Sequence, residues 1–162
     1  MILIALGANL PSHAGAPAAT LRAALRTLRQ QNVAVETVSA FYNSTAWPNS
    51  DDPQFVNAVA SLDTDLPFRE LLAVLKQTER AFGRQSAERN APRPLDLDIL
   101  DYEGRVEPGN PILPHPRMHE RGFVLIPLRD VAPLWRHPVL GLSVEALIES
   151  LPAAARALTR LA

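Results

Sequence analysis

The chain has 162 residues, with 16 Lys plus Arg against 17 Asp plus Glu, 15 Pro and no Cys. A net charge of −1 provides no bulk positive field for a polyanion, so no nucleic-acid partner is expected and any anion site must be local. The absence of Cys removes disulfides, thiolate nucleophiles and Cys-ligated metal centres, which suits a reducing compartment.

At 47% hydrophobic and 20% charged, the composition is that of an ordinary globular protein, and the length reads as one domain over residues 1–162. The opening run Ile2–Leu6 is far shorter than the roughly 20 residues of a membrane helix and has no basic leader, so it reads as a buried strand. A cytoplasmic monomer with no membrane contact is expected. Lys76 is the single lysine among the 16 basic residues.

Gly7 and Asn9 end the first strand, and a loop runs from Asn9 to Pro17. Leu21, Ala24, Leu25 and Leu28 recur at helical spacing, so an amphipathic helix is expected from Ala18 to about Gln31. Val33–Tyr42 alternates and is rich in Val, Thr and aromatics, which predicts a strand. The polar, proline-containing segment Asn43–Gln54 continues neither neighbour and is a candidate lid. Phe55–Leu62 alternates as a second strand. Pro67 suits a helix start, and Phe68, Leu71, Leu72, Leu75 and Phe82 form its apolar stripe up to Gly83.

Leu95–Leu100 reads as a further strand, and the Pro-rich stretch Pro108–Pro116 can be neither helix nor central strand. Gly122–Val131 reads as a short helix despite Pro127. Ser143 can cap a last helix that Pro152 kinks or divides, and Trp47 and Trp135 read as packing residues. The order strand, helix, strand, strand, helix, strand is that of a split βαβ, the ferredoxin-like α+β sandwich. Its helices are expected on one face of an antiparallel sheet, with helices added at the C-terminus.

In Arg93-Pro94-Leu95-Asp96-Leu97-Asp98-Ile99-Leu100, alternation sends the three apolar side chains one way and both aspartates the other, about 7 Å apart along the strand. Two like charges so placed suit a cation such as Mg²⁺, which takes one or two carboxylates plus substrate phosphates; a solvent-facing strand fits the pattern as well. Arg80, Arg84, Arg89 and Arg93 lie nearby and could bind a polyphosphate or be solvated. Pro114 and Pro116 hold His115 in extended backbone, with His119 and Arg121 following. His115 and His119 have a zinc-like spacing, but Pro116 works against a helix through both. Neither a P-loop, a Rossmann glycine motif nor a nucleophile elbow is present.

Leu6-Gly7-Ala8-Asn9-Leu10, Phe55-Val56-Asn57-Ala58, Glu79 with Gly83-Arg84, Ala91 through Leu100, and Leu113-Pro114-His115 through Arg121-Gly122-Phe123 occur in this order over most of the chain. Together they resemble the 6-hydroxymethyl-7,8-dihydropterin pyrophosphokinases of folate biosynthesis. The resemblance implies diphosphate transfer from ATP to the hydroxymethyl oxygen of 6-hydroxymethyl-7,8-dihydropterin, releasing AMP. Asp96 and Asp98 would hold two Mg²⁺ ions, with Asp96 also close to the hydroxyl. The pterin would lie between Phe55 and Phe123 and be hydrogen-bonded by Asn57 and Ser44. Arg93, His115 and Arg121 would contact ATP phosphates, Arg84 would stabilise charge on the transferred group, and Glu79 and Ile99 would border the nucleoside.

The segments Asn9–Pro17, Asn43–Gln54 and Arg84–Ala91 match three mobile catalytic loops. The third is shorter here and carries Gln85, Ser86, Ala87 and Asn90 where the family has further basic residues and a Trp, leaving Arg84 or Arg89 as its second cation. Pro116 stands where an aromatic often follows the His, and Phe55 where a Tyr stacks on the pterin. A binding module without chemistry and a metal-dependent phosphohydrolase are the two other readings.

Overall fold

Alternation along three strands builds the frame. The computed structural model describes residues 1–85 and 91–161 and contains β1 (Ile2–Ala8), α1 (Pro17–Arg29), β2 (Ala34–Val38), β3 (Tyr42–Ser44), β4 (Phe55–Asp63), α2 (Phe68–Ala81), β5 (Asp96–Tyr102), α3 (Gly122–Val131), α4 (Val144–Ser150) and β6 (Thr159–Arg160). The sheet runs β5-β1-β4-β3-β6, with β2 also on β4, and every pairing is antiparallel. Because β2 takes the Ala60–Asp63 half of β4 and β3 the Phe55–Asn57 half, the two share one sheet position. The order β5, β1, β4, then β2 with β3 is that of the split βαβ sandwich.

Even-numbered residues of β1 and β4 and odd-numbered residues of β5 face α1 and α2. Ile2, Ile4, Leu6, Ala58, Leu62, Leu97 and Ile99 pack there with Leu21, Leu25, Leu28, Leu71 and Leu75. Each fully buried aliphatic side chain contributes about 1.5–3 kcal/mol. The opposite rows carry Leu3, Val59 and Leu100, and these are covered by Val124, Leu125 and Leu128 of α3 with Val144, Leu147 and Ile148 of α4. α1 and α2 cover one face as expected, and the added C-terminal helices α3 and α4 form a third layer, because the second face is apolar where they lie. Further along the same rows, Val59 gives way to Asn57, and Leu100 to Asp98 and Asp96. The polar site begins where this apolar cover ends.

The strand expected over Val33–Tyr42 is two strands. Ser39 separates them: its N–H donates to the Val59 carbonyl at 2.9 Å, and its Oγ accepts the Val59 N–H at 3.0 Å. A side-chain oxygen thus replaces the backbone acceptor of the ladder, and the chain bends. Ser143 caps α4 as expected, its Oγ accepting the Ala146 N–H at 3.2 Å. Trp135 is buried and donates Nε1–H to Asp101 Oδ2 at 2.7 Å, but Trp47 is 65% exposed. It stands on a loop whose residues 48–51 are exposed too, with the Arg117 guanidinium 5.8 Å from its ring as an aromatic-face partner, so the packing expectation fails there.

Candidate active site

Register sets the geometry. Gly7 in the middle of the sheet is opposite Asn57 of β4 on one side and Asp96 of β5 on the other. Two interstrand steps place Asn57 and Asp96 at one level roughly 10 Å apart. A Cβ at Gly7 would lie 3.6 Å from Asn57 Oδ1 and 3.8 Å from Phe55 Cδ1, so glycine keeps the floor between them low.

The β4 side is neutral. Asn57 and Ser44 are buried, and Asn57 Nδ2 donates to Ser44 Oγ at 2.8 Å and toward the Tyr42 carbonyl at 3.4 Å. Phe55 is the strand partner of Ser44. Phe123 stands in the first turn of α3, with the Arg121 guanidinium 5.6 Å from its ring centre. Gly122 allows this turn to sit where it does: a Cβ there would collide with the Ala155 carbonyl of the C-terminal segment.

The β5 side is charged. Asp96 Oδ1 lies 2.5 Å from Arg84 Nη1 and 3.4 Å from Arg93 Nη1. Asp98 Oδ1 lies 3.7 Å from Lys76 Nζ, and Oδ2 lies 3.9 Å from His115 Nε2. Burial alone would raise the Asp96 pKa, but Arg93, Arg84 and Lys76 outweigh it and hold that carboxyl below its usual range. Asp98 is pushed up, by burial first and then by the Asp96 charge, against the pull of Lys76, His115 and Arg121. Burial pushes the His115 pKa down against the attraction of Asp98. Its Nδ1 accepts the Arg117 N–H at 3.2 Å, so in the neutral ring the proton sits on Nε2, facing Asp98.

Glu79 organises the cations. Its Oε1 accepts from Leu97 N–H at 2.7 Å, Lys76 Nζ at 2.8 Å and Arg84 Nη1 at 2.9 Å, while the side chain is 4% exposed. Burial raises its pKa, opposed by these same donors. One of its two carboxylate oxygens is thus occupied within the chain. The Ile99 side chain belongs to the α1/α2 core, and its backbone lies on edge strand β5. The structure brings Arg84, Arg93, Asp96, Asp98, Glu79 and His115 into one cluster, and Ser44 with Asn57 into another. Arg121 reaches the first through its charge rather than a contact. Arg89, with Ser86, Ala87 and Asn90, lies outside the described residues.

Two residues gained no role from the sequence. Lys76 donates to Glu79 and, at 3.0 Å, to the Leu97 carbonyl, which ties α2 to the edge strand beside Asp98. Its i,i+3 spacing to Glu79 and its standing as the single lysine were the available signals. Asn9 is buried, accepts the Arg93 N–H at 2.8 Å and donates to the Pro53 carbonyl at 3.1 Å, so it joins the first loop, the second loop and the approach to β5. Among the described residues no group of three or more His, Cys, Asp or Glu side chains is placed to hold a metal. Asp96 and Asp98 offer hard oxygen donors on one strand face, a set that Mg²⁺ completes with substrate oxygens and water.

These features define a class: a ferredoxin-like α+β protein whose sheet carries a paired-carboxylate site ringed by cations beside a neutral amide site. The family model for 7,8-dihydro-6-hydroxymethylpterin-pyrophosphokinase (HPPK) matches residues 3–133, and the chain belongs to that family. It is 40% identical over 131 residues to the 2-amino-4-hydroxy-6-hydroxymethyldihydropteridine pyrophosphokinase of Haemophilus influenzae, covering 80% of this chain and 79% of that one. It is 41% identical over 131 residues to the mitochondrial folate synthesis bifunctional protein of Arabidopsis thaliana, of which it spans only 23%. In fold it is similar to the HPPK-DHPS protein of Plasmodium falciparum solved with pteroate. The TM-score is 0.68 at 13% identity, over 91% of this chain and 43% of that one.

Proposed function

We propose that this chain transfers the terminal diphosphate of ATP to the hydroxymethyl oxygen of 6-hydroxymethyl-7,8-dihydropterin, releasing AMP. It would do so as a cytoplasmic monomer with one domain over residues 1–162 and two Mg²⁺ ions on Asp96 and Asp98. One observation carries the reading: Asn57 and Asp96 stand at the same level on either side of Gly7, with Arg84 and Arg93 drawn to Asp96 and a neutral Ser44 paired with Asn57. Such a floor accepts a flat, polar-edged heterocycle at one end and a metal-bound polyphosphate at the other. Family membership supports it independently.

Asn57 and Ser44 hold the pterin edge, and Phe55 and Phe123 supply its aromatic contacts. Asp96 orients the hydroxyl. Bound Mg²⁺ would neutralise the triphosphate and align the β-phosphorus for in-line attack. Arg93, His115 and Arg121 bind phosphate oxygens, and Arg84 meets the charge that builds on the transferred group. The new bond joins the hydroxymethyl oxygen to the β-phosphorus as the hydroxyl proton is lost to water; the bond from that phosphorus to the α-bridging oxygen breaks and AMP leaves.

The test separates AMP, ADP and free phosphate after incubation with ATP, Mg²⁺ and the pterin, with pterin and metal each omitted in turn. AMP is expected only when both are present. Pterin binding without AMP would make the chain a binding module, and phosphate release without pterin would make it a phosphohydrolase.

A further inference from the structure

We propose that Lys76 and Arg84 are internal counter-cations that close the Asp96–Asp98 pair to free divalent metal and open it to metal arriving on a polyphosphate. This inference rests on the reading of Asp96 and Asp98 as metal-holding residues. It assigns Lys76 a role in selecting what form of metal the site accepts.

Each aspartate already has a cation: Arg84 at 2.5 Å from Asp96, and Lys76 at 3.7 Å from Asp98. Without ligand both cations are held in place on the same Glu79 oxygen, at 2.9 Å and 2.8 Å, and that oxygen is fixed to the β5 backbone through the Leu97 N–H. The Lys76 ammonium is pinned a second time by the Leu97 carbonyl. One buried carboxylate therefore sets two positive groups against two metal-holding carboxylates that are themselves only 29% and 35% exposed.

A bare divalent ion entering this site meets two fixed positive charges and must compete with them for the same oxygens. Partial burial makes that competition more costly than it would be in water. A polyphosphate changes the balance. Its oxygens offer Lys76 and Arg84 a new negative partner within the same volume, so the aspartates are released to the metal as the cations turn to phosphate. Metal and nucleotide then favour each other's binding through these two side chains, and the coupling must be equal in both directions.

The experiment titrates Mn²⁺, read by electron paramagnetic resonance of the free ion, into the full chain. One arm has no nucleotide and the other has saturating α,β-methylene ATP, whose scissile position cannot be cleaved. Lys76→Met and Arg84→Gln are expected to bind Mn²⁺ alone about tenfold more tightly than the parent. Both should show a smaller nucleotide-induced gain in Mn²⁺ affinity. Lys76→Arg, which keeps the charge, should behave as the parent in both arms. Metal-alone affinity that is unchanged or weaker in both charge-removing variants would overturn the proposal, as would equal shifts in Lys76→Met and Lys76→Arg.

The metal-only arm needs no pterin and no turnover. Failure of diphosphate transfer with the Mn²⁺ shifts intact would therefore strike the proposed reaction alone. Transfer with no Mn²⁺ shifts would strike this inference alone.

Discussion

The two ends of the Gly7 floor are built on opposite plans. At the β4 end, Asn57 and Ser44 are neutral, buried and already hydrogen-bonded to each other at 2.8 Å, so the edge that would meet the pterin is assembled before any ligand arrives. At the β5 end, the carboxylates and most of the cations are engaged with one another: Asp96 with Arg84 and Arg93, Asp98 with Lys76 and His115, Glu79 with Lys76 and Arg84. A neutral site can wait in its binding geometry at little cost. A site with this many charges is stable without ligand only when the charges satisfy one another, and ligand binding then means exchanging partners rather than filling a gap.

The strongest way to break this contrast is to remove a carboxylate from the charged end. Asp96→Ala or Asp98→Ala should lower kcat by about a thousandfold or more in the AMP assay while the protein stays folded by circular dichroism. Turnover within about tenfold of the parent in both would remove the metal role from the account. Next comes the link between the ends and the C-terminal segment. Gly122→Ala drives a methyl group into the Ala155 carbonyl and should cost about 1–3 kcal/mol, read as a Tm lowered by roughly 2–10 °C.

A smaller effect sharpens the neutral end. Asn57→Ala leaves the Ser44 hydroxyl without its partner and should raise the pterin KM about tenfold, with nucleotide affinity changed by less than about twofold. A matching loss of nucleotide affinity would show that the two ends are not separable.

The smallest effect is a pH dependence at the charged end. His115 has its folded-state pKa below the ordinary 6.5 because of burial, so its neutral form is the one the fold prefers. Its contribution to stability is present above that value and lost as pH falls through the lower folded pKa. Replacing it by Gln should make Tm fall less steeply from about pH 7 toward pH 5, measured in parallel melts.

Much of this arrangement is legible in the order of the amino acids. Alternation marks β1, β4 and β5 and places Asp96 and Asp98 on one face, because a period of two is a local property that burial on one side imposes directly. Two features are out of its reach for one reason: each depends on a partner far away in sequence. Ser39 interrupts a strand only because its hydroxyl meets Val59, twenty residues on. α3 and α4 close the second face only because Leu3, Val59 and Leu100 come together there.

The same holds in the site. The aspartates announce themselves by spacing, whereas the three internal donors that meet Glu79 Oε1 are visible only in the fold. Lys76 stands out by composition and by its i,i+3 spacing to Glu79, and its tie to the edge strand emerges only where α2 meets the Leu97 carbonyl. Asn9 belongs to a recognisable motif, but its function as a tie follows from the placement of its amide between Arg93 and Pro53.

The central claim is that a diphosphate, and not a single phosphoryl group, crosses from the charged end to the neutral one. The most direct measurement follows ATP labelled at the β-phosphorus in the presence of Mg²⁺ and 6-hydroxymethyl-7,8-dihydropterin. The account predicts that the label moves to the pterin as unlabelled AMP appears. Label retained in ADP, or released without reaching the pterin, would contradict it.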